Sequence, residues 1–261
     1  LGMLMRVNNE EKTPLELAME KDQANAKVIQ PYDDDATTTN NNSERHFLHV
    51  AAGRGYLEVV KCLVERANVD VTTATDDGVL PLHEAARRNH VHVIEYLLDQ
   101  NAAMLDMKDN SGMTAMLVAA ESNALDAMKM LVEKGARVHA VDRKGRNVLH
   151  FAAKNDSVQV IHFVIKHLGK LDEETAALGK SKELHADFSR KKKQQILNNA
   201  DQNGNTPLHV ACTNGYLNSV RALQKYDVIR NPINDHGFIP LHNAAASGHA
   251  EVVSLLCDNG A

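Results

Sequence analysis

Fourteen histidines and three cysteines are the side chains of this sequence with the widest chemical reach. They could ligate metal, transfer protons or attack as nucleophiles. Their spacing argues against most of this. Cys62, Cys212 and Cys257 lie far apart and make no C-x-x-C pair. Neither a disulfide framework nor a zinc site is indicated, and a reducing compartment is expected. His49, His83, His150, His209 and His242 recur singly at long intervals, so an architecture spaces them and not a ligand set. His90-x-His92 is local, lacks convergent partners and is expected at the surface. Asp201-x-Asn203-x-Asn205 opens like a calcium loop. An EF-hand then needs Gly at its sixth position and Glu at its twelfth, where this chain has Thr206 and Cys212. A tight turn is expected there instead. Glu173-Glu174 lies in a polar stretch, and neither a P-loop nor a G-x-S-x-G elbow occurs. The expectation is no catalytic residue, no cofactor, no metal and no enzyme. Cys212 adjoins Ala211 at a position where other intervals carry alanine, so it reads as a small buried residue. A redox-sensing thiol would need exposure and a lowered pKa.

The elements that carry these residues follow from one period. Aligned on the last residue of Thr206-Pro207-Leu208-His209, the equivalents are Glu16, His49, His83, Leu117, His150, His209 and His242, spaced 33, 34, 34, 33, 59 and 33. A period of 33 or 34 is a repeat signature. Two places after this anchor stands Ala in every unit: Ala18, Ala51, Ala85, Ala119, Ala152, Ala211 and Ala244. Such a column fits a helix packed where only a methyl group has room. One place before it stand Leu15, Leu48, Leu82, Met116, Leu149, Leu208 and Leu241, core contacts of the same short helix. Six places after it come Asp22, Gly55, Asn89, Asn123, Asp156, Gly215 and Gly248. These residue types tolerate a left-handed backbone best, so this column ends the first helix. An aliphatic column follows at Leu63, Leu97, Leu131, Val164, Leu223 and Leu256, on a second amphipathic helix. Gly78, Gly112, Gly145, Gly204 and Gly237 mark a turn before each first helix. Each unit is a turn, a short helix, a reversal and a second helix. None can bury its apolar face alone, so neighbours must stack.

The pattern divides the chain. Residues 1–43 form a degenerate repeat, Thr13-Pro14-Leu15-Glu16, followed by a polar loop through Pro31-Tyr32-Asp33 and Asn40-Asn41-Asn42. Regular repeats occupy 44–165 and 200–261. Between them, residues 166–199 carry an excess of 26 residues over the period, without proline, expected to add one or two helices. Within it lies the basic run Arg190-Lys191-Lys192-Lys193. Such a run is a solvated face or a contact for an acidic partner, a phospholipid head group or another subunit.

Composition narrows the function classes. Hydrophobic residues make up 43% of 261 and charged ones 24%, enough to bury a core. Aromatics are only 4% and tryptophan is absent, as suits thin layers packed on Ala and Leu. A net charge of −5 argues against nucleic-acid binding, which needs a basic face. No apolar run of about 20 residues, the length of a membrane span, occurs. The sequence starts at Leu1 and stops inside the pattern at Asn259-Gly260-Ala261, so an excised piece of a longer array is expected.

These columns resemble the ankyrin repeat over essentially the whole chain. The resemblance implies an all-α ankyrin solenoid with one helical insertion, in which the anchor histidines hydrogen-bond within and between turns. A narrower likeness covers roughly the last two thirds. Glu133-Lys134-Gly135-Ala136 leads to Gly145-Arg146-Asn147-Val148-Leu149-His150, then the insertion, Gln194-Gln195-Ile196 and Gly204-Asn205-Thr206-Pro207-Leu208-His209-Val210-Ala211-Cys212. That order resembles the amino-terminal array of the TRPA branch of transient receptor potential cation channels. It implies a regulatory arm at the cytosolic face of the plasma membrane, in a homotetrameric, calcium-permeable, non-selective channel gated by chemicals or temperature. The membrane part is then expected beyond Ala261. By the family pattern, the electrophile-reacting cysteines lie outside this array. The alternatives are a soluble ankyrin adaptor binding a protein partner, or a recruitment module inside an enzyme. In every case the expected contact surface is the finger tips, Asp76, Asp77, Asn110, Arg143, Lys144, Asn203 and His236, with the basic run as a second candidate.

Overall fold

The computed structural model describes residues 42–177, 191, 193–226 and 228–261. The first degenerate repeat lies outside them, as do Arg190 and Lys192. Among the described residues every regular element is helical, and the helices come in pairs. They are α1 (Asn42–Arg54) with α2 (Leu57–Glu65), α3 (Pro81–Arg87) with α4 (Val91–Gln100), and α5 (Ala115–Glu121) with α6 (Leu125–Glu133). Then come α7 (Val148–Lys154) with α8 (Val158–Ala177), α9 (Pro207–Thr213) with α10 (Leu217–Gln224), and α11 (Pro240–Ala246) with α12 (Ala250–Asp258). The described residues form two compact units that divide between Ala136 and Arg137.

Local sequence explains each pair. Pro81, Pro207 and Pro240 open their helices at the first position, where a missing N–H costs nothing and φ is preset. In the first unit α1 packs on α3 and α3 on α5. In the second, α7 packs on α9 and α9 on α11. Ala51, Ala85, Ala119, Ala152, Ala211 and Ala244 are all buried at these contacts, so the methyl column does separate closely approaching helices. Leu48, Leu82, Met116, Leu149 and Leu208 fill the layers beside them. Among the described residues the column six places past the anchor is left-handed at every member, with φ between 51° and 77°. The next backbone N–H then turns back onto the alanine carbonyl, as from His90 to Ala85 at 2.9 Å and from His249 to Ala244 at 3.0 Å.

Two features depart from the expected pattern. A 3-10 helix, Ala102–Asp106, follows α4 and buries Met104 completely. The insertion also does not begin with a new helix at 166. Instead α8 runs unbroken through 20 residues, Val158–Ala177, because its only interruption is Gly169, which weakens a helix by about 1 kcal/mol without ending it. The chain returns in a helical stretch at 193–197 that buries Ile196 and Leu197. Asn147 Nδ2 donates to the Ile196 carbonyl at 2.8 Å, and Asn199 Nδ2 donates to the Gly145 carbonyl at 2.8 Å. The end of the insertion is therefore built into the second unit.

Two nearby glycines are expected to respond oppositely to alanine. Gly55 holds φ +75°, and an added Cβ would lie 2.5 Å from His90 Nδ1. Gly55→Ala is expected to cost about 2 kcal/mol in urea unfolding. Gly53 sits inside α1, and its added Cβ would stand 3.4 Å from Glu84. Gly53→Ala is expected to be neutral or stabilising by up to about 1 kcal/mol.

Candidate interaction surface

The described finger loops are built around one position, eight places before the anchor, that carries a side-chain oxygen acceptor. Asp109 Oδ1 accepts from the backbone N–H of Ser111 and Met113, each at 2.8 Å. Asp142 Oδ1 accepts from Lys144 and Arg146, Asp201 Oδ1 from Asn203 and Asn205, and Asn234 Oδ1 from His236 and Phe238. In the first described loop Thr75 Oγ1 accepts from Val79. The calcium-like spacing at Asp201 is thus a turn whose carboxylate holds backbone donors. Among the described residues no group of His, Cys, Asp and Glu is arranged to hold a metal. Asp142 is further fixed by Arg146, 2.7 Å away, whose guanidinium lies 4.6 Å from the Phe151 ring centre.

Successive tips are laced by the main chain. In the first unit Asn110 N donates to the Asp77 carbonyl, and Asn110 Nδ2 donates to the Asp76 carbonyl, both at 2.9 Å. In the second, Gln202 N donates to the Lys144 carbonyl at 2.8 Å, and Asp235 N donates to the Asn203 carbonyl at 3.1 Å. Every expected tip residue, Asp76, Asp77, Asn110, Arg143, Lys144, Asn203 and His236, is exposed. They differ in freedom: the Asn110 amide is engaged in holding the loops together, whereas the side chains of Asp76 and Asp77 give the first unit acidic tips. Arg143 and Lys144 give the second unit cationic ones.

The basic run divides. Lys191 is exposed, while Lys193 is half-buried with its ammonium 5.9 Å from the Tyr226 ring centre. Arg190 and Lys192 lie outside the described residues. Cys212 is fully buried, and burial pushes its thiol up to about 12. A reactive thiolate needs the opposite environment. Burial also raises Cys62. A cleft of about 110 Å³ lies in the second unit beside His139, Asn147 and Gln195. It is well below the roughly 300 Å³ of a small-molecule site.

The histidines are structural connectors. His83 Nδ1 accepts the Leu80 N–H at 2.9 Å, and its Nε2 donates to the Met107 carbonyl at 3.2 Å. His150 joins Asn147 N to the Asn205 carbonyl, and His209 joins Thr206 N to the Phe238 carbonyl. His49 Nε2 donates to the Val79 carbonyl. Each of these links one repeat to the next. His92 is exposed as expected, but His90 is half-buried and donates from Nε2 to the Gly53 carbonyl at 3.1 Å. His249 does the same to the Thr213 carbonyl at 3.0 Å. Sequence reasoning placed His90 at the surface because its partner is a carbonyl on the preceding repeat.

A second device was hidden in the left-handed column. Asn89 Oδ1 accepts the Ala127 N–H at 2.7 Å. Asp156 Oδ1 accepts from Ser219, from N at 3.1 Å and Oγ at 2.7 Å. Each side chain caps the second helix of the following repeat. Their residue types were legible as left-handed formers, and their capping role was not.

A family model described as ankyrin repeats (3 copies) matches residues 48–142 and 182–261. The Caenorhabditis elegans homolog of transient receptor potential cation channel subfamily A member 1 is 29% identical over 288 residues, covering 96% of this chain and 21% of that protein. The human member is 29% identical over 161 residues, covering 51% of this chain and 13% of that protein. The crystal structure of the human ASB11 ankyrin repeat domain superposes with a TM-score of 0.60 at 25% identity, covering 82% of this chain and 83% of that one. The chain thus spans 21% and 13% of the lengths of the two channel relatives.

The buried histidines make stability depend on pH. Burial lowers the pKa of His83, His150 and His209 below 6.5, against the opposing pull of backbone acceptors and nearby carboxylates. The unfolded chain therefore binds more protons as pH falls. Stability is fully present above about pH 6.5 and is lost progressively below it. Urea midpoints measured from pH 7.5 to 5 are expected to fall. His83→Gln is expected to be less stable at pH 7.5 and to show a shallower decline.

Proposed function

The chain belongs to the ankyrin-repeat family, and from that premise we propose that it is the regulatory and scaffolding arm of a TRPA-like, calcium-permeable, non-selective cation channel. The observation that carries this reading is the extent of the likeness to the nematode channel. It runs over 96% of this chain, and so through the long insertion between the His150 and His209 repeats as well as the generic repeats. Among the described residues no helix is long and apolar enough to cross a membrane. In this reading the pore lies elsewhere in the parent chain, and the arm works at the cytosolic face of the plasma membrane within a homotetramer. It acts by binding and not by catalysis.

The physics of such an arm needs only two channel states that differ in their contacts with it. A partner that binds one state more tightly shifts the gating equilibrium by that difference. The exposed tips are the proposed contacts: Asp76 and Asp77 for a basic surface, and Arg143 and Lys144, with Asn203 and His236 nearby, for an acidic one. Lys191 is a further candidate beside the return of the insertion. Repeat stacks can also open locally, one layer at a time, which gives a route to temperature dependence.

A second reading is an adaptor with no channel attached. The match to the ankyrin-repeat family, a protein-interaction fold, supports it, and the same tips would serve. Translation of the parent transcript separates the two. Six apolar segments of about 20 residues each are expected for the channel, and a parent without them transfers the function to an adaptor. In the full channel, reversing Arg143 and Lys144 to Glu is expected to shift the half-maximal stimulus several-fold, read by calcium influx. Unchanged gating would remove these tips from the contact surface.

A further inference from the structure

The outward side of the second helices changes charge between the two units. Sixteen places after the anchor stand Glu65, Asp99 and Glu133 in the first unit, and Lys166 and Lys225 in the second. All five are exposed. In the first unit the cations of this side are already engaged: Lys61 pairs with Glu58 at 2.9 Å, and Lys134 pairs with Asp99 at 2.8 Å. Those of the second unit are not. Among the described residues Lys166, Lys191, Lys193, Arg221 and Lys225 form no ion pair.

Three elements bring these cations together. α8 and α10 pack on one another, so Lys166 and Lys225, at equivalent places, stand on neighbouring helices about 10 Å apart. Arg221 lies one turn before Lys225 on the same side of α10. The return of the insertion supplies the rest. Tyr226, just past α10, bonds His162 Nδ1 of α8 through its hydroxyl at 2.9 Å, and Lys193 Nζ stands 5.9 Å from its ring centre. Ile229 N donates to Asn198 Oδ1 at 2.7 Å, which holds the return beside the end of α10. Lys191, two residues before Lys193, is exposed. α12 ends the face, because it carries Asp258 where α8 and α10 carry lysine.

We propose that this outward face of α8 and α10 takes the acidic segment Asp33-Asp34-Asp35 of a second copy of this chain. Between Val28 and Ser43 the sequence carries these three carboxylates and no lysine or arginine, the complement of the face. Three extended residues span about 7–10 Å, which matches the separation of Lys166 and Lys225. Reach selects a second copy. Asp35 stands seven residues before Asn42, where α1 opens the first unit, and seven residues extend at most about 25 Å. The segment is thus tethered to a unit that does not carry the cationic face, and the segment of another copy is free of that tether. Single exposed ion pairs are weak, so the contact is reversible and gains strength where copies are already held together. In the channel reading the second copy is a neighbouring subunit, but the contact stands or falls without deciding whether the parent chain has a pore.

The test uses the whole chain with Tyr32 replaced by photoreactive benzoylphenylalanine, as a mixture of light and heavy-nitrogen-labelled copies. Illumination is expected to join light chains to heavy ones, with the cross-links mapped by mass spectrometry to residues 162–166, 191–193 or 221–226. Raising the salt from about 50 to about 500 mM is expected to lower their yield several-fold. Lys166→Glu, Lys191→Glu and Lys225→Glu together are expected to lower it about fivefold, and so are Asp33→Lys, Asp34→Lys and Asp35→Lys together. All six substitutions in one chain are expected to restore it. The three lysines are exposed, so their reversal is expected to leave the melting curve in place. Cross-links confined to single chains, cross-links that fall elsewhere on the partner copy, or a yield indifferent to either reversal overturn the proposal. So does a chain with all six substitutions that stays unlinked.

Discussion

A neutral imidazole that accepts at one nitrogen and donates at the other is the interaction on which the stack depends. Each repeat is two short helices thick and cannot enclose a core. It must therefore be held to its neighbour while its loop is held to itself. His83, His150 and His209 do both at once: Nδ1 takes the N–H at the start of the repeat's own first helix, and Nε2 gives a proton to the loop of the next. These groups are buried, where an unpaired donor or acceptor costs about 1–3 kcal/mol. The methyl column of alanines then brings the helices close enough for those bonds to form.

Two different latches share the remaining work. Gly55 and Gly215 leave room for a histidine of the following repeat that reaches back to a carbonyl. Asn89 and Asp156 reach forward and cap the next second helix. The two latches exclude one another at a given interface, because the Cβ that carries the capping group occupies the space of the ring. Leu117 stands at the anchor where most repeats carry histidine, and there Thr114 Oγ1 caps the helix through the Leu117 N–H. The fold therefore tolerates the loss of one imidazole where a hydroxyl caps the same helix through a different donor, the N–H at its third position.

Most of this was legible in the sequence because the period is strict. The alanine, leucine and left-handed columns each reported a local steric rule, and the helices stand where those columns placed them. What escaped had no local signature. His90 reads as polar until its acceptor on a different repeat is known, and Asn89 reads as a turn former until Ala127 is brought beside it. The proposed contact surface was readable only as a location. Exposed loop tips follow from the repeat, but the engagement of the Asn110 amide within the fingers depends on Asp76 lying across the gap. The insertion was visible as excess length, and its continuation of α8 was not, because the helical pattern crosses 166 without a stop signal.

The length of α8 changes what its repeat can do mechanically. At 1.5 Å per residue a helix of 20 residues measures about 30 Å, against about 12–14 Å for α10 and α12 with 8 and 9 residues. Its near end is seated in the layer by Val160, Ile161 and Val164, and the chain beyond it comes home through the buried Ile196 and Leu197. Such a rod is a lever with its fulcrum inside one repeat. A force applied at its far end has a longer arm than one applied to α10 or α12, and the Asp156–Ser219 latch lies at the opposite, seated end.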